Sequence, residues 1–107
     1  MAARYAPNAV FRSHPFREPY LGTEGARTYA RTALEGEVDI DAWFGDPVVA
    51  GDCAAVVYWA TLLEDGDRVT IAGASILRFD AQGLVVEHRD YWTLEPGTHP
   101  PPHGWGR

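Results

Sequence analysis

Three β-rich runs, residues 54–63, 69–79 and 84–94, follow one another with only short joints between them. The joints contain Glu64-Asp65-Gly66-Asp67 and Asp80-Ala81-Gln82-Gly83. Parallel neighbours need a crossover of a dozen residues or more, so Gly-containing joints this short dictate hairpins and antiparallel pairing. A fourth strand precedes them. Val38, Ile40, Ala42 and Phe44 alternate with Asp39, Asp41 and Trp43 until Gly45-Asp46-Pro47 interrupts, which predicts one bent strand. The core is therefore an antiparallel meander of four strands.

Upstream the period changes. Ala26, Tyr29, Ala30, Ala33 and Leu34 form the i, i+3, i+4, i+7, i+8 stripe of an amphipathic helix over residues 23–35. Thr23 is placed to cap it and Gly36 to end it, while Arg31 and Glu35 can pair on the solvated side. One helix on a long curved sheet gives an α+β domain, with the main helix on the concave face of a strongly curved four-stranded antiparallel sheet. A chain of 107 residues fits one such domain and no more. Residues 95–107 hold Pro96, Pro100, Pro101 and Pro102 and are expected to form an extended tail.

Composition narrows the function. Nine cations, all Arg and without a run, stand against fifteen Asp and Glu for a formal charge of −6, which disfavours a nucleic-acid partner. No apolar run approaches the roughly 18 residues of a membrane span. The lone Cys53 has no internal disulfide partner and the chain opens without a signal pattern, so the cytoplasm is the expected compartment. Cys53 starts a strand with no His or Arg beside it, so a small buried or edge residue is expected rather than a nucleophile. His99 and His103 are separated by three prolines that forbid the helix needed to align them on a metal. No glycine-rich phosphate loop is present, and neither a metal nor a cofactor is expected.

If the turn at residues 80–83 pairs Phe79 with Leu84, then Leu77 faces Val86, Ser75 faces His88, Gly73 faces Asp90 and Ile71 faces Trp92. One face of the sheet then collects His88, Asp90 and Trp92. The other collects Glu87, Arg89, Tyr91 and Thr93, and alternation alone does not choose between them.

Several segments resemble the SnoaL-like branch of the nuclear-transport-factor-2-like superfamily. They are residues 5–11 (Tyr-Ala-Pro-Asn-Ala-Val-Phe), His14-Pro15-Phe16 with Gly22 before the helix, and residues 79–92 from Phe79-Asp80 to Tyr91-Trp92. The resemblance implies a cone-shaped α+β fold. Similarity to ketosteroid isomerase, in the same superfamily, places His14 where that family has its general-base Asp, and Ser75 where it has an oxyanion-hole Asp. It matches His88, Asp90 and Trp92 to pocket-lining positions on the last strand. Resemblance and register thus select the same inward face. Relatives begin with a helix or two before the segment matching Tyr5, and these are lacking here. The resemblance therefore implies either a natural start upstream of Met1 or a second chain covering the cone.

An imidazole beside a carboxylate in an apolar cone is suited to general acid/base work, with Asp90 holding His14 or His88 in one tautomer. The catalytic candidates are His14 and Asp90. Ser75, His88, Trp92, Tyr58 and Phe16 are the candidate ligand contacts. The plainer reading has His14 satisfying backbone groups before Pro15 and Asp90 pairing with a neighbouring Arg. The expected function is small-molecule binding, with isomerase, cyclase or lyase chemistry on a hydrophobic polyketide-, steroid- or terpene-like substrate. The rival is a non-catalytic ligand-binding or dimerisation module. A homodimer is expected because apolar surface around Trp59, Val57 or the first strand should lie exposed.

Overall fold

The computed structural model describes residues 4–34 and 37–107. Its elements run β1 (Tyr5–Arg12), β2 (Tyr20–Leu21), α1 (Gly22–Leu34), β3 (Glu37–Phe44), β4 (Val48–Ala50), β5 (Cys53–Glu64), β6 (Asp67–Phe79) and β7 (Val85–Pro96). The domain is α+β with one helix, as expected. The sheet, however, has seven strands rather than four and is mixed. Its order is β2-β1-β7-β6-β5-β3, with β4 also on β5, and β1 runs parallel to β7. That parallel pairing joins the two ends of the chain, which no hairpin signal can announce.

The four expected strands are present as β3, β5, β6 and β7, antiparallel to their neighbours; the β5–β6 and β6–β7 joints are hairpins, whereas β4 lies between β3 and β5 in the chain and pairs with β5. The bend in β3 has a physical origin. Asp39 takes a left-handed φ of 56°, and the β3–β5 register shifts between Val38 and Asp41. The expected strong curvature is not found, and the sheet is not strongly curled. Strong curvature needs bulges in the middle of ladders. Here the β5–β6 ladder runs unbroken from Cys53↔Arg78 to Glu64↔Asp67, and the β6–β7 irregularity lies at the hairpin end, between Arg78 and Phe79.

That irregularity also corrects the expected register. Phe79 pairs with Val85, and beyond the bulge Leu77 faces His88, Ser75 faces Asp90 and Gly73 faces Trp92. The slip along β7 is two residues, so the faces are unchanged and only the direct partners differ.

Helix α1 starts at Gly22, whose φ of 66° and close approach to the Pro7 carbonyl leave no room for a Cβ. Thr23, expected as the cap, lies inside the helix, and its hydroxyl donates to the Tyr5 carbonyl at 3.3 Å. Glu24 and Arg27 pair on the exposed side at 2.9 Å. Ala26 packs with Tyr5, Ala9 and Val85, and Leu77 and Phe79 flank the cluster. The rest of the expected stripe and the Arg31–Glu35 pair lie outside the described side chains, and Gly36 outside the described residues. Among the described residues no helix is long and apolar enough to cross a membrane.

Strand β7 continues to Pro96, two residues into the segment expected as tail. Residues 97–107 then fold back along the outer face of the sheet. The Thr70 hydroxyl donates to the Gly97 carbonyl and accepts from the His99 N–H. The Trp59 indole donates to the His99 carbonyl at 2.7 Å, and Trp105 meets Trp59 edge-on at 5.5 Å. Arg107 lies 5.2 Å above the Trp43 ring, within cation–π range.

Candidate functional site

The central side chains come from β1, β6 and β7. In β7 the residues of one parity, His88, Asp90 and Trp92, share the face on which α1 sits. Ser75 of β6 lies directly across from Asp90 on that face. The parallel strand β1 delivers Phe11 next to His88, with ring centroids 4.1 Å apart. Phe11 is 2% exposed, His88 8% and Asp90 9%, so an imidazole and a carboxylate are buried together and must be bonded.

Their bonds form one line. The Tyr5 hydroxyl meets His88 Nδ1 at 2.5 Å, His88 Nε2 meets Asp90 Oδ1 at 2.7 Å, and the Ser75 hydroxyl donates to the same Oδ1 at 2.6 Å. A carboxylate only accepts, so Nε2 carries the imidazole proton; in the neutral ring Nδ1 accepts from the Tyr5 hydroxyl. Both bonds to Asp90 converge on Oδ1. Among the described residues its Oδ2 makes no hydrogen bond.

Trp92 is held by its indole N–H, which donates to the Ser13 carbonyl at 2.7 Å, and His14 meets it edge-on at 5.6 Å. The His14 Nδ1 accepts from the Phe16 N–H at 3.2 Å. His14 thus makes the local backbone contact of the plainer reading and meets Trp92, but among the described residues no hydrogen bond brings it together with Asp90. The hydrogen bonds of Asp90 go instead to His88 and Ser75. Phe16 is 93% exposed. Tyr58 lies on β5 in one cross-strand row with Gly73 and Trp92. Gly73 is required there, because a Cβ would stand 2.3 Å from the Tyr91 carbonyl oxygen and 2.8 Å from the Trp92 Cα. The row therefore carries aromatic side chains at Tyr58 and Trp92 with none between them.

Sequence reasoning did not single out Tyr5 and Phe11 as members of the site. They enter through the β1–β7 pairing, a contact 83 residues apart in the case of Tyr5 and His88. The available signal was their shared parity with Ala9 in β1, all three buried.

Away from this line, Cys53 is half-buried and its thiol lies 3.4 Å from Asp52 Oδ1. The hydrogen bond to Asp52 raises the thiol pKa, with desolvation and the Asp52 charge acting in the same direction. The environment therefore favours the unreactive thiol. Two surface hollows, of about 310 and 570 Å3, lie along the returning C-terminal segment. The first is floored by Val48, Ala55 and Val57, and the second is walled by Trp43, Pro101 and Trp105. Neither is lined by His88, Asp90, Ser75 or Trp92.

A single helix on one side of a mixed sheet, with a polar line buried between them, defines an α+β domain of the nuclear-transport-factor-2-like fold. The SnoaL-like domain family matches residues 1–88, and the chain belongs to that family. Among solved structures it is similar to the epoxide hydrolase/cyclase-like enzyme SalBIII of pyran ring formation in the polyether salinomycin. The TM-score is 0.77 at 15% identity, over 90% of this chain and 80% of that one. It is similar to an NTF2-like protein of unknown function from Exiguobacterium sp. 255-15, with a TM-score of 0.73 at 18% identity, over 92% and 80%. A third similar structure is an LEH-like epoxide hydrolase of Mycobacterium tuberculosis, with a TM-score of 0.69 at 15% identity, over 86% and 67%. Identities this low carry the fold alone. No curated protein sequence matches the chain.

Proposed function

We propose that the protein binds a flat hydrophobic small molecule on the helix-side face of the sheet and that Asp90 exchanges a proton with it. The observation that carries this reading is the buried carboxylate whose Oδ1 is fixed by His88 and Ser75 while Oδ2 makes no bond among the described residues. Fixing one oxygen holds the other in place, which is what general acid/base catalysis asks of a proton acceptor. The adjoining row of Tyr58, Gly73 and Trp92 supports the ligand class. Neighbouring strands are about 4.8 Å apart, so Tyr58 and Trp92 stand roughly 9 to 10 Å apart along the row, a spacing suited to aromatic contacts with a flat ring. His14, on the edge of Trp92, is the second acid/base group, and Phe16 beside it is the outermost ligand contact.

Cyclisation, epoxide opening and isomerisation can each use a positioned carboxylate as the acid/base group, and two of the similar structures are an epoxide hydrolase/cyclase-like enzyme and an epoxide hydrolase. The substrate is accordingly of polyketide, steroid or terpene type. A panel of such compounds is to be titrated against the tryptophan fluorescence of the full chain. Binding by wild type and Asp90→Asn alike, with turnover by wild type only, is the expected result. Binding that survives Trp92→Ala and Tyr58→Ala unchanged rejects the site, and equal turnover by Asp90→Asn rejects the role of the carboxylate.

A further inference from the structure

The apolar surface expected around Trp59 or the first strand is found covered. In β1, Tyr5, Ala6, Ala9 and Phe11 are all buried, and Trp59 lies under the returning segment. The covering builds a feature of its own. Trp43 of β3 and Trp59 of β5 are direct cross-strand partners, and Trp105 stands edge-on to Trp59. Three of the four tryptophans of the chain are thus brought to one place. The segment that does this is pinned on either side of residues 101–105. The Trp59 indole holds the His99 carbonyl at 2.7 Å, and the Asp46 N–H donates to the Gly106 carbonyl at 2.9 Å.

Between Trp43 and that segment lies the larger hollow, of about 570 Å3, walled by Trp43, Pro101, Pro102 and Trp105 and edged by His103 and Arg107. The volume falls within the roughly 300–1,000 Å3 of small-molecule sites, which likewise combine rings with a few polar groups. Those polar groups are unused. Among the described residues neither the His103 imidazole nor the Arg107 guanidinium makes a hydrogen bond. Arg107 rests 5.2 Å above the Trp43 ring, and its distance of 3.7 Å to Asp46 is too long for a hydrogen bond, with both side chains more than half exposed. A guanidinium seated on a ring keeps its planar fork of N–H donors. The indole N–H of Trp105 is buried and has no acceptor among the described residues, although a buried Trp ordinarily finds one. Among the described residues no Asp or Glu lines the hollow, in a chain of net charge −6.

We infer that this hollow is a second ligand site, separate from the helix-side face, and that it takes a flat aromatic carboxylate. The rings of Trp43 and Trp105 with the two prolines suit a flat apolar body. Arg107 and Trp105 carry donors alone, and His103 supplies another, so the molecule they fit is one that accepts. Arg is the side chain whose fork matches a carboxylate in two parallel bonds. The inference does not rest on the proposed function, because none of His88, Asp90, Ser75 and Trp92 lines the hollow.

Cinnamate is the probe, and the tryptophan indole N–H signals of the full chain in proton–nitrogen NMR spectra are the readout, assigned with Trp43→Phe, Trp92→Phe and Trp105→Phe. Titrated to about 5 mM, cinnamate should shift Trp43 and Trp105 along one binding curve and leave Trp92 in place. Cinnamyl alcohol has the same flat body without the charge and should bind about fivefold more weakly or worse, as should cinnamate to Arg107→Gln. Salt at about 0.5 M should weaken the carboxylate and spare the alcohol. Arg107 is exposed, so its substitution should leave the thermal melt in place. No shift at Trp43 and Trp105, equal binding of acid and alcohol, or binding indifferent to Arg107→Gln overturns the inference. Shifts confined to Trp92 also overturn it, while favouring the helix-side site; failure of that site alone leaves the Trp43 and Trp105 shifts unchanged.

Discussion

Ser75 lies directly across the β6–β7 ladder from Asp90, and its hydroxyl donates to Asp90 Oδ1 at 2.6 Å. The strand register alone sets this contact, and with the His88 imidazole it fixes one oxygen of a buried carboxylate. A hydrogen bond to a charged group contributes about 1.5–3 kcal/mol, and Ser75 is only half-buried, so the lower end applies. Ser75→Ala should therefore cost about 1.5 kcal/mol in urea unfolding. A loss below a few tenths of a kcal/mol would mean that water replaces the hydroxyl without penalty.

Phe11 and Phe16 are five residues apart and opposite in exposure, at 2% and 93%. Phe11 is buried among the rings of Tyr5, Tyr20 and His88, so Phe11→Ala leaves a cavity and is expected to destabilise by about 3–5 kcal/mol. That is enough to lower the melting temperature by on the order of 10 °C or more. Phe16→Ala should leave the melt unchanged. Comparable losses at the two sites would mean that the β1–β7 pairing is not the one described.

The Cys53 thiol gives a pH prediction with a definite sign. Its pKa is raised by the hydrogen bond to Asp52, by desolvation and by the Asp52 charge, so the thiolate forms only at higher pH than in an unperturbed cysteine. Asp52→Asn removes the charge. The midpoint of the iodoacetamide rate profile should then move to lower pH, with faster alkylation near pH 8. An unmoved midpoint would show that the Asp52 side chain does not face the thiol in solution.

How much of this was legible in the sequence follows from the range of the contacts involved. The hairpins at residues 64–67 and 80–83 are local, and short joints with Gly and Asp announce them. The inward grouping of Ser75, His88, Asp90 and Trp92 was legible too, since a two-residue slip preserves parity. The direct partners were not, because the bulge between Arg78 and Phe79 has no composition signature. Strand β1 falls in a family-like segment, yet its parallel seat beside β7 depends on a pairing across nearly the whole chain. Hence His88 acquired Tyr5 and Phe11 as neighbours that no periodicity could name. The outer-face course of residues 97–107 was equally hidden. It rests on tertiary bonds to Trp59 and Thr70, while a proline-rich stretch by itself reads as extended.

The last prediction separates the structural part of Asp90 from its chemical part. Asp90→Asn keeps an oxygen at the Oδ1 position, where it can still accept from Ser75 and His88, and places an amide N–H2 toward the unbonded side. Asp90→Ala removes both acceptors and leaves a buried imidazole N–H and a hydroxyl unsatisfied, at about 1–3 kcal/mol each. Urea unfolding should therefore rank wild type and Asn close together and Ala lowest, by about 2 kcal/mol or more. Any proton-transfer activity should follow a different order, lost equally in Asn and Ala, because an amide cannot take a proton at neutral pH. Parallel loss of stability and activity in Asn would assign Asp90 to the fold. The split between the two measurements, if found, assigns its Oδ2 to the chemistry, since Asn differs from Asp only in charge and in that atom.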